Sequence, residues 1–245
     1  MVSGLRSIRE VRTRTWRPKR RRFSLAVPQA CLALLCSPLL HASGAATITF
    51  SQDFPSSQPE KYSISVQSDG HAHYECSARI SDDSDDRETY EAEFNMSDAA
   101  RTRIFELAAQ AHYFSERIDS GNRKLAFTGA KRLAYRDDQR NFAADYNFSP
   151  LAAVQQLTVL FQNVAATLEF GRRLTRFHRY QKLALDEELK RMEEQARHGD
   201  LAELQAVKPV LQEIFDDPSV INVVRARAQQ IMEMGDGAPT GHSGH

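Results

Sequence analysis

A chain of 245 residues, 41% hydrophobic and 26% charged, can bury at least one ordinary core, and its 32 basic residues balance 32 acidic ones. The balance is uneven. Nine basic residues and one acid, Glu10, fall in residues 1–45, leaving 23 basic and 31 acidic residues beyond them and a net charge of about −8 there. That excludes a basic nucleic-acid footprint from the greater part of the chain, so no nucleic-acid partner is expected.

The basic run ends at Arg20-Arg21-Arg22 and passes into an apolar stretch from Leu25 to Leu40, followed by Ala42-Ser43-Gly44-Ala45-Ala46. A basic segment, an apolar segment and small residues, in that order, make a secretory signal. Pro28, Gln29 and Pro38 interrupt the apolar stretch, which falls short of the roughly 20 apolar residues of a membrane span. Residues 1–45 are therefore expected to be a signal peptide, cleaved after Gly44, Ala45 or Ala46, with membrane contact only during export and a periplasmic or secreted product. Arg20-Arg21-Arg22-Phe23 also fits the twin-arginine pattern; the general secretory route fits as well, and both stay open. Cys31 and Cys36 depart with the signal, which leaves Cys76 alone and no intramolecular disulfide.

Strands come first. Tyr62, Ile64 and Val66 alternate with polar neighbours up to Asp69-Gly70, a hairpin signal whose type I′ form needs positive φ at both central residues. The return strand places Ala72, Tyr74, Cys76 and Ala78 on one face, and His71, His73 and Glu75 on the other. After an acidic loop, Tyr90, Ala92, Phe94 and Met96 alternate with Glu91, Glu93 and Asn95. Ser97 caps a helix with Ile104, Phe105, Leu107 and Ala108 on its buried stripe. A second strand set runs through Leu125 and Phe127, a kink at Thr128-Gly129, Leu133 and Tyr135, and then Phe142, Ala144, Tyr146 and Phe148. Ser149-Pro150 starts a long helix, seamed by Val154, Leu157, Phe161, Val164 and Leu168. The seam shifts near Gly171, which implies a kink or a new helix there.

Residues 186–197 are densely charged and suit a helix that projects from the domain or lies across it. Asp200 is expected to cap a helix carrying Leu201, Leu204, Val207, Leu211 and Ile214, bent at Pro209. Asp217-Pro218-Ser219 starts the last helix. The expected fold class is α+β: an antiparallel sheet with one face covered by helices (residues 46–170), followed by a C-terminal helical extension (171–234) and a disordered tail (235–245).

Few residues carry chemistry. His71 and His73, with Glu75 beyond, share a wet strand face and could take a transition metal if other elements completed the ligand set; solvated surface histidines are the plainer reading. Asp82, Asp83, Asp85 and Asp86 have calcium-ligand chemistry, but Arg87 stands where a calcium loop needs glycine. Cys76 is phased toward the core and expected to be inert. His242 and His245 belong to the tail, and His112 and His178 are single helical histidines. The aromatics Tyr74, Tyr90, Phe94, Phe142, Tyr146 and Phe148 occupy apolar strand faces and are assigned to the core. Catalytic residues are not identifiable: nucleophile-elbow, zinc-helix, CxxC and phosphate-loop motifs are all missing. No cofactor is expected.

Ser65-Val66-Gln67-Ser68-Asp69-Gly70, the helix from Ser97, Phe127-Thr128-Gly129 and Asp145-Tyr146-Asn147-Phe148-Ser149-Pro150 follow one another in an order that resembles small exported bacterial domains of unknown function. The resemblance spans about residues 61–171 and implies no activity. The expectation is a non-enzymatic binding or interaction module, with the C-terminal helices contacting a protein partner or a second copy. A metal-binding protein using His71 and His73, and a hydrolase with a dispersed carboxylate site, are the alternatives.

Overall fold

The computed structural model describes residues 44–55, 57–79, 87–122 and 124–237. The signal segment up to residue 43, the aspartate cluster at 82–86, and His242 and His245 lie outside the described residues.

The fold is α+β. Six antiparallel strands, β1 (Thr47–Asp53), β2 (Lys61–Gln67), β3 (His71–Arg79), β4 (Arg87–Asn95), β5 (Ala130–Arg136) and β6 (Asn141–Tyr146), form one sheet in the order β4-β3-β2-β1-β5-β6. Period-2 patterning sets its two faces. Ile48, Phe50, Ile64, Val66, Ala72, Tyr74 and Leu133 are fully buried on the inner face, whereas His71 and Glu75 reach solvent on the outer one. The inner face is covered by α1 (Asp98–Gln110) and α2 (Ala152–Tyr180). Phe50 of β1 stacks on Phe161 of α2 with ring centroids 5.3 Å apart.

The β2–β3 hairpin forms where expected, with a different turn. Gly70 N–H donates to Gln67 C=O at 2.9 Å, and positive φ occurs at Gly70 (98°) but not at Asp69. Asp69 instead uses its carboxylate to accept the His71 N–H at 2.9 Å, a side-chain turn that leaves only one position needing glycine. Ser97 caps α1 by accepting the Ala100 N–H, as its sequence position implies.

Residues 125–129 are not a strand. Gly129 adopts φ 98°, and a Cβ there would lie 2.9 Å from Phe54 Cβ, so the Thr128-Gly129 kink is a close backbone approach. Phe127 (59% exposed), Phe148 (44%) and Phe142 (38%) are not core residues. Phe142 shares the strand phase of buried Tyr146 but lies at the other end of the edge strand β6, and Phe127 and Phe148 fall outside the strands.

Helix α2 begins at Ala152, two residues beyond Pro150, because Ser149 Oγ accepts the Leu151 N–H and holds that residue extended as the N-cap. It then runs without a break through Gly171 to Tyr180. Gly171 is where the chain before α4 crosses α2: an added Cβ would meet Val207 Cγ1 at 2.5 Å. Helices α3 (Leu185–His198) and α4 (Lys208–Asp216) pack against α2, and α5 (Asn222–Gly237) packs against both of them. Leu185, Leu189 and Met192 are fully buried, so α3 lies against its neighbours rather than projecting. Asp200 does not cap a helix: residues 200–203 are irregular, a 3-10 turn covers Leu204–Val207, and Pro209 sits in the first turn of α4, where its missing N–H costs nothing. Asp217 and Ser219 form a side-chain turn before α5 rather than its first residues.

Candidate functional site

The β1–β2 loop, α2 and α3 enclose a cleft of about 270 Å³, lined by Ser57, Gln58 and Pro59, by Gln52 and Tyr62, by Gln162, Ala165, Ala166, Glu169, Phe170 and Arg173, and by Arg191 and Gln195. Gln52 continues the inward phase of Ile48 and Phe50 along β1, and register places it opposite Tyr62 on β2. Its Oε1 accepts from Tyr62 Oη at 3.3 Å and from Gln162 Nε2 at 2.9 Å. The α2 residues recur at helical spacing, so one stripe of that helix forms a wall. Ala165 and Ala166 keep the stripe shallow.

Two buried carboxylates organise the charges. Glu169, 3% exposed, accepts from Tyr74 Oη at 2.8 Å, Cys76 Sγ at 3.3 Å, Arg172 Nη2 at 2.8 Å and Arg172 Nε at 3.0 Å. Both its oxygens are thus engaged, as a buried charge requires. Burial, reinforced by the Glu169 charge, pushes the Cys76 thiol up to about 11 and holds the Tyr74 phenol protonated far above its ordinary range. Glu188, 5% exposed, pairs with Arg173 Nε at 2.6 Å and Arg191 Nη2 at 3.1 Å. Arg173 also lies over the buried Phe170 ring, 4.6 Å from its centroid, a cation–π contact that fixes the guanidinium plane.

The histidines occupy the opposite face of the sheet. His73 Nδ1 lies 2.6 Å and His71 Nε2 3.0 Å from the two oxygens of Glu93 on β4. Register pairs Glu75 with Glu91. Glu93, not Glu75, is the carboxylate that engages both rings, and among the described residues no group of three or more His, Cys, Asp or Glu side chains is placed to hold a metal ion. Cys76 is buried and unpaired by any disulfide. His178 Nε2 lies 2.9 Å from Asp217 Oδ2, and His112 opens a left-handed turn.

Gln52, Glu169 and Glu188 escaped attention in the sequence, yet each leaves a trace there. Gln52 is a polar residue in the inward phase of a strand, Glu169 interrupts Leu168-Glu169-Phe170, and Glu188 falls at a core position among Leu185, Leu189 and Met192. A polar residue at an apolar phase is the signal. Compared with known proteins, the chain matches no family model and no curated protein.

Proposed function

We propose that the protein is an exported, non-enzymatic binding module whose site is this cleft. The observation that carries the reading is the commitment to arginines of the cleft carboxylate and of the buried one beside it: Glu169 to Arg172, and Glu188 to the cleft residues Arg173 and Arg191. Neither acid is free to act as a general base or nucleophile, which also weighs against the hydrolase alternative. What the cleft offers is a fixed set of donors. Export rests on the order of basic, apolar and small residues before Thr47. Cleavage between Gly44 and Thr47 would leave β1 whole, and β1 joins the two halves of the sheet by pairing with both β2 and β5.

Native mass spectrometry of the protein recovered from outside the cytoplasm tests both parts. The expected species begins at Ala45, Ala46 or Thr47, lacks tryptophan fluorescence because Trp16 is the only tryptophan, and carries a small-molecule adduct lost when Arg191 is replaced. An unprocessed chain confined to the cytoplasm sinks export, and turnover in activity screens sinks the non-enzymatic reading.

A second surface supports the partner reading for the C-terminal helices. Tyr180 (72% exposed), Leu183 (98%), Ile221 (65%) and Val223 (60%) are exposed where Lys182 Nζ joins Asp217 Oδ2 at 2.6 Å. Loss of self-association or partner capture on Leu183→Ser with Ile221→Ser is the expected result. Unchanged sedimentation and pull-down profiles would count against it.

A further inference from the structure

We propose that the cleft takes a small molecule bearing a single carboxylate with a neutral polar group beside it, an assignment that rests on the cleft being the binding site. Gln52 is 7% exposed, yet only its Oε1 is partnered. Its Nε2 donates to no group among the described residues, and because no buried side-chain nitrogen among them lacks a partner, this nitrogen opens into the cleft that Gln52 lines. An amide N–H that opens into the cleft without a protein partner is a donor available to a ligand acceptor there. Across the space, Arg173 spends only Nε on Glu188, and Arg191 only Nη2, among the described residues. The remaining guanidinium N–H groups suit bidentate capture of a planar oxyanion.

Charge decides which anion. Outside the lining, Glu188 is the one carboxylate that Arg173 and Arg191 share, and Arg172 holds Glu169 and lies 3.9 Å from the exposed Glu88. The charged residues that line the cleft, Glu169, Arg173 and Arg191, leave one positive charge in excess, which matches a carboxylate and not a dianionic phosphate. Size decides the rest: 270 Å³ holds about nine waters at about 30 Å³ each, so the ligand is a small free acid rather than a polymer.

The test is titration calorimetry of the processed full chain with acetate, lactate and N-acetylglycine, beside inorganic phosphate and glucose. N-acetylglycine should bind saturably and most tightly, because its amide carbonyl reaches Gln52 while its carboxylate meets the arginines. Arg191→Gln, at a half-exposed position that leaves Glu188 paired with Arg173, should weaken it by about tenfold or more. Gln52→Glu keeps the acceptor for Tyr62 and Gln162, replaces the free donor with a negative charge, and should abolish binding. If none of the three acids binds up to about ten millimolar, the weak limit for so small a ligand, the carboxylate assignment is wrong. Preference for phosphate or glucose, lost in both variants, overturns the carboxylate while leaving the cleft as the site. Binding of any probe unchanged in both variants removes the cleft itself.

Discussion

Glu169 shows how one residue couples two elements. It sits on α2, takes hydrogen bonds from Tyr74 and Cys76 of β3, and is held by Arg172 one turn along. Removing one member of a buried ion pair leaves the other charge uncompensated and costs about 3–5 kcal/mol. Arg172 keeps a fifth of its side chain in solvent, so Glu169→Gln is expected near the low end, about 3 kcal/mol, read from urea unfolding. In the parent, a Cys76 thiol pushed up to about 11 should react with Ellman's reagent near pH 8 about two orders of magnitude more slowly than in the unfolded chain. Rapid labelling of the folded protein would contradict the burial argument. The inert thiol was legible in the sequence because strand phase alone assigns Cys76 to the core. Its partner was not, because a carboxylate on a helix reads as solvent-facing until tertiary packing brings two donors from a strand ninety-odd residues away.

Secondary elements were legible where period and phase were strong: β2, β3, α1 and the seam of α2 lie where alternation and helical spacing put them. They were misjudged where a nonlocal contact decides. The seam shift at Gly171 implied a kink or a new helix because Gly171, Thr175 and His178 take over the seam positions, but the glycine is required by Val207 pressing on an unbroken helix. Gly171→Ala should gain up to about 1 kcal/mol of helix propensity and lose about 1–3 kcal/mol to overpacking, a net destabilisation. Val207→Ala should reverse the sign, so that Gly171→Ala becomes stabilising in that background. Additive effects in the four-protein thermal unfolding cycle would rule the contact out. The left-handed turn at His112, Tyr113 and Phe114 (φ 50°, 55° and 65°) had no glycine to announce it; burial of Phe114 and packing of Tyr113 between Tyr135 and Arg140 oppose its strain. Asp217 ties the end of α2 to the α4–α5 loop. Lys182 foremost, then Ser219 and His178, hold its carboxyl well below the ordinary range. A depressed carboxylate contributes stability that is full above its unfolded value, near 3.9, and is lost as pH falls through the folded one. Asp217→Asn should therefore lower the melting temperature at neutral pH and converge with the parent as the pH drops below about 3. A constant difference down to strong acid would assign the effect to packing.

At the scale of the molecule, the sequence suggested a sheet domain with a helical extension attached, and a helix rich in charge suggested either a projecting arm or a helix lying across the domain. The burial pattern resolves the two into one core. Side chains buried from Ile48 on β1 to Ile231 on α5 form a single contiguous cluster, with Leu168, Phe170 and Leu174 of α2 carrying it from the sheet to Leu189, Leu211 and Val224. Charge on α3 left both placements open because its apolar stripe is narrow, while Glu188 and Glu193 are spent on arginines of α2, α3 and α5. A continuous core of this kind predicts one cooperative transition. Leu211 on α4 is fully buried, and Leu211→Ala should cost about 2–5 kcal/mol. Six of the seven tyrosines lie before α2 and report the sheet region, while Tyr180 is largely exposed; far-ultraviolet dichroism is dominated by α2 to α5. In the processed chain, which has no tryptophan, near-ultraviolet tyrosine dichroism and far-ultraviolet helix dichroism should shift together in Leu211→Ala and keep coincident midpoints. A helix signal that melts first while the tyrosine signal stays at its parent midpoint would make residues 171–234 a separate domain, and would cast Arg191 and Gln195 as a detachable wall of the cleft.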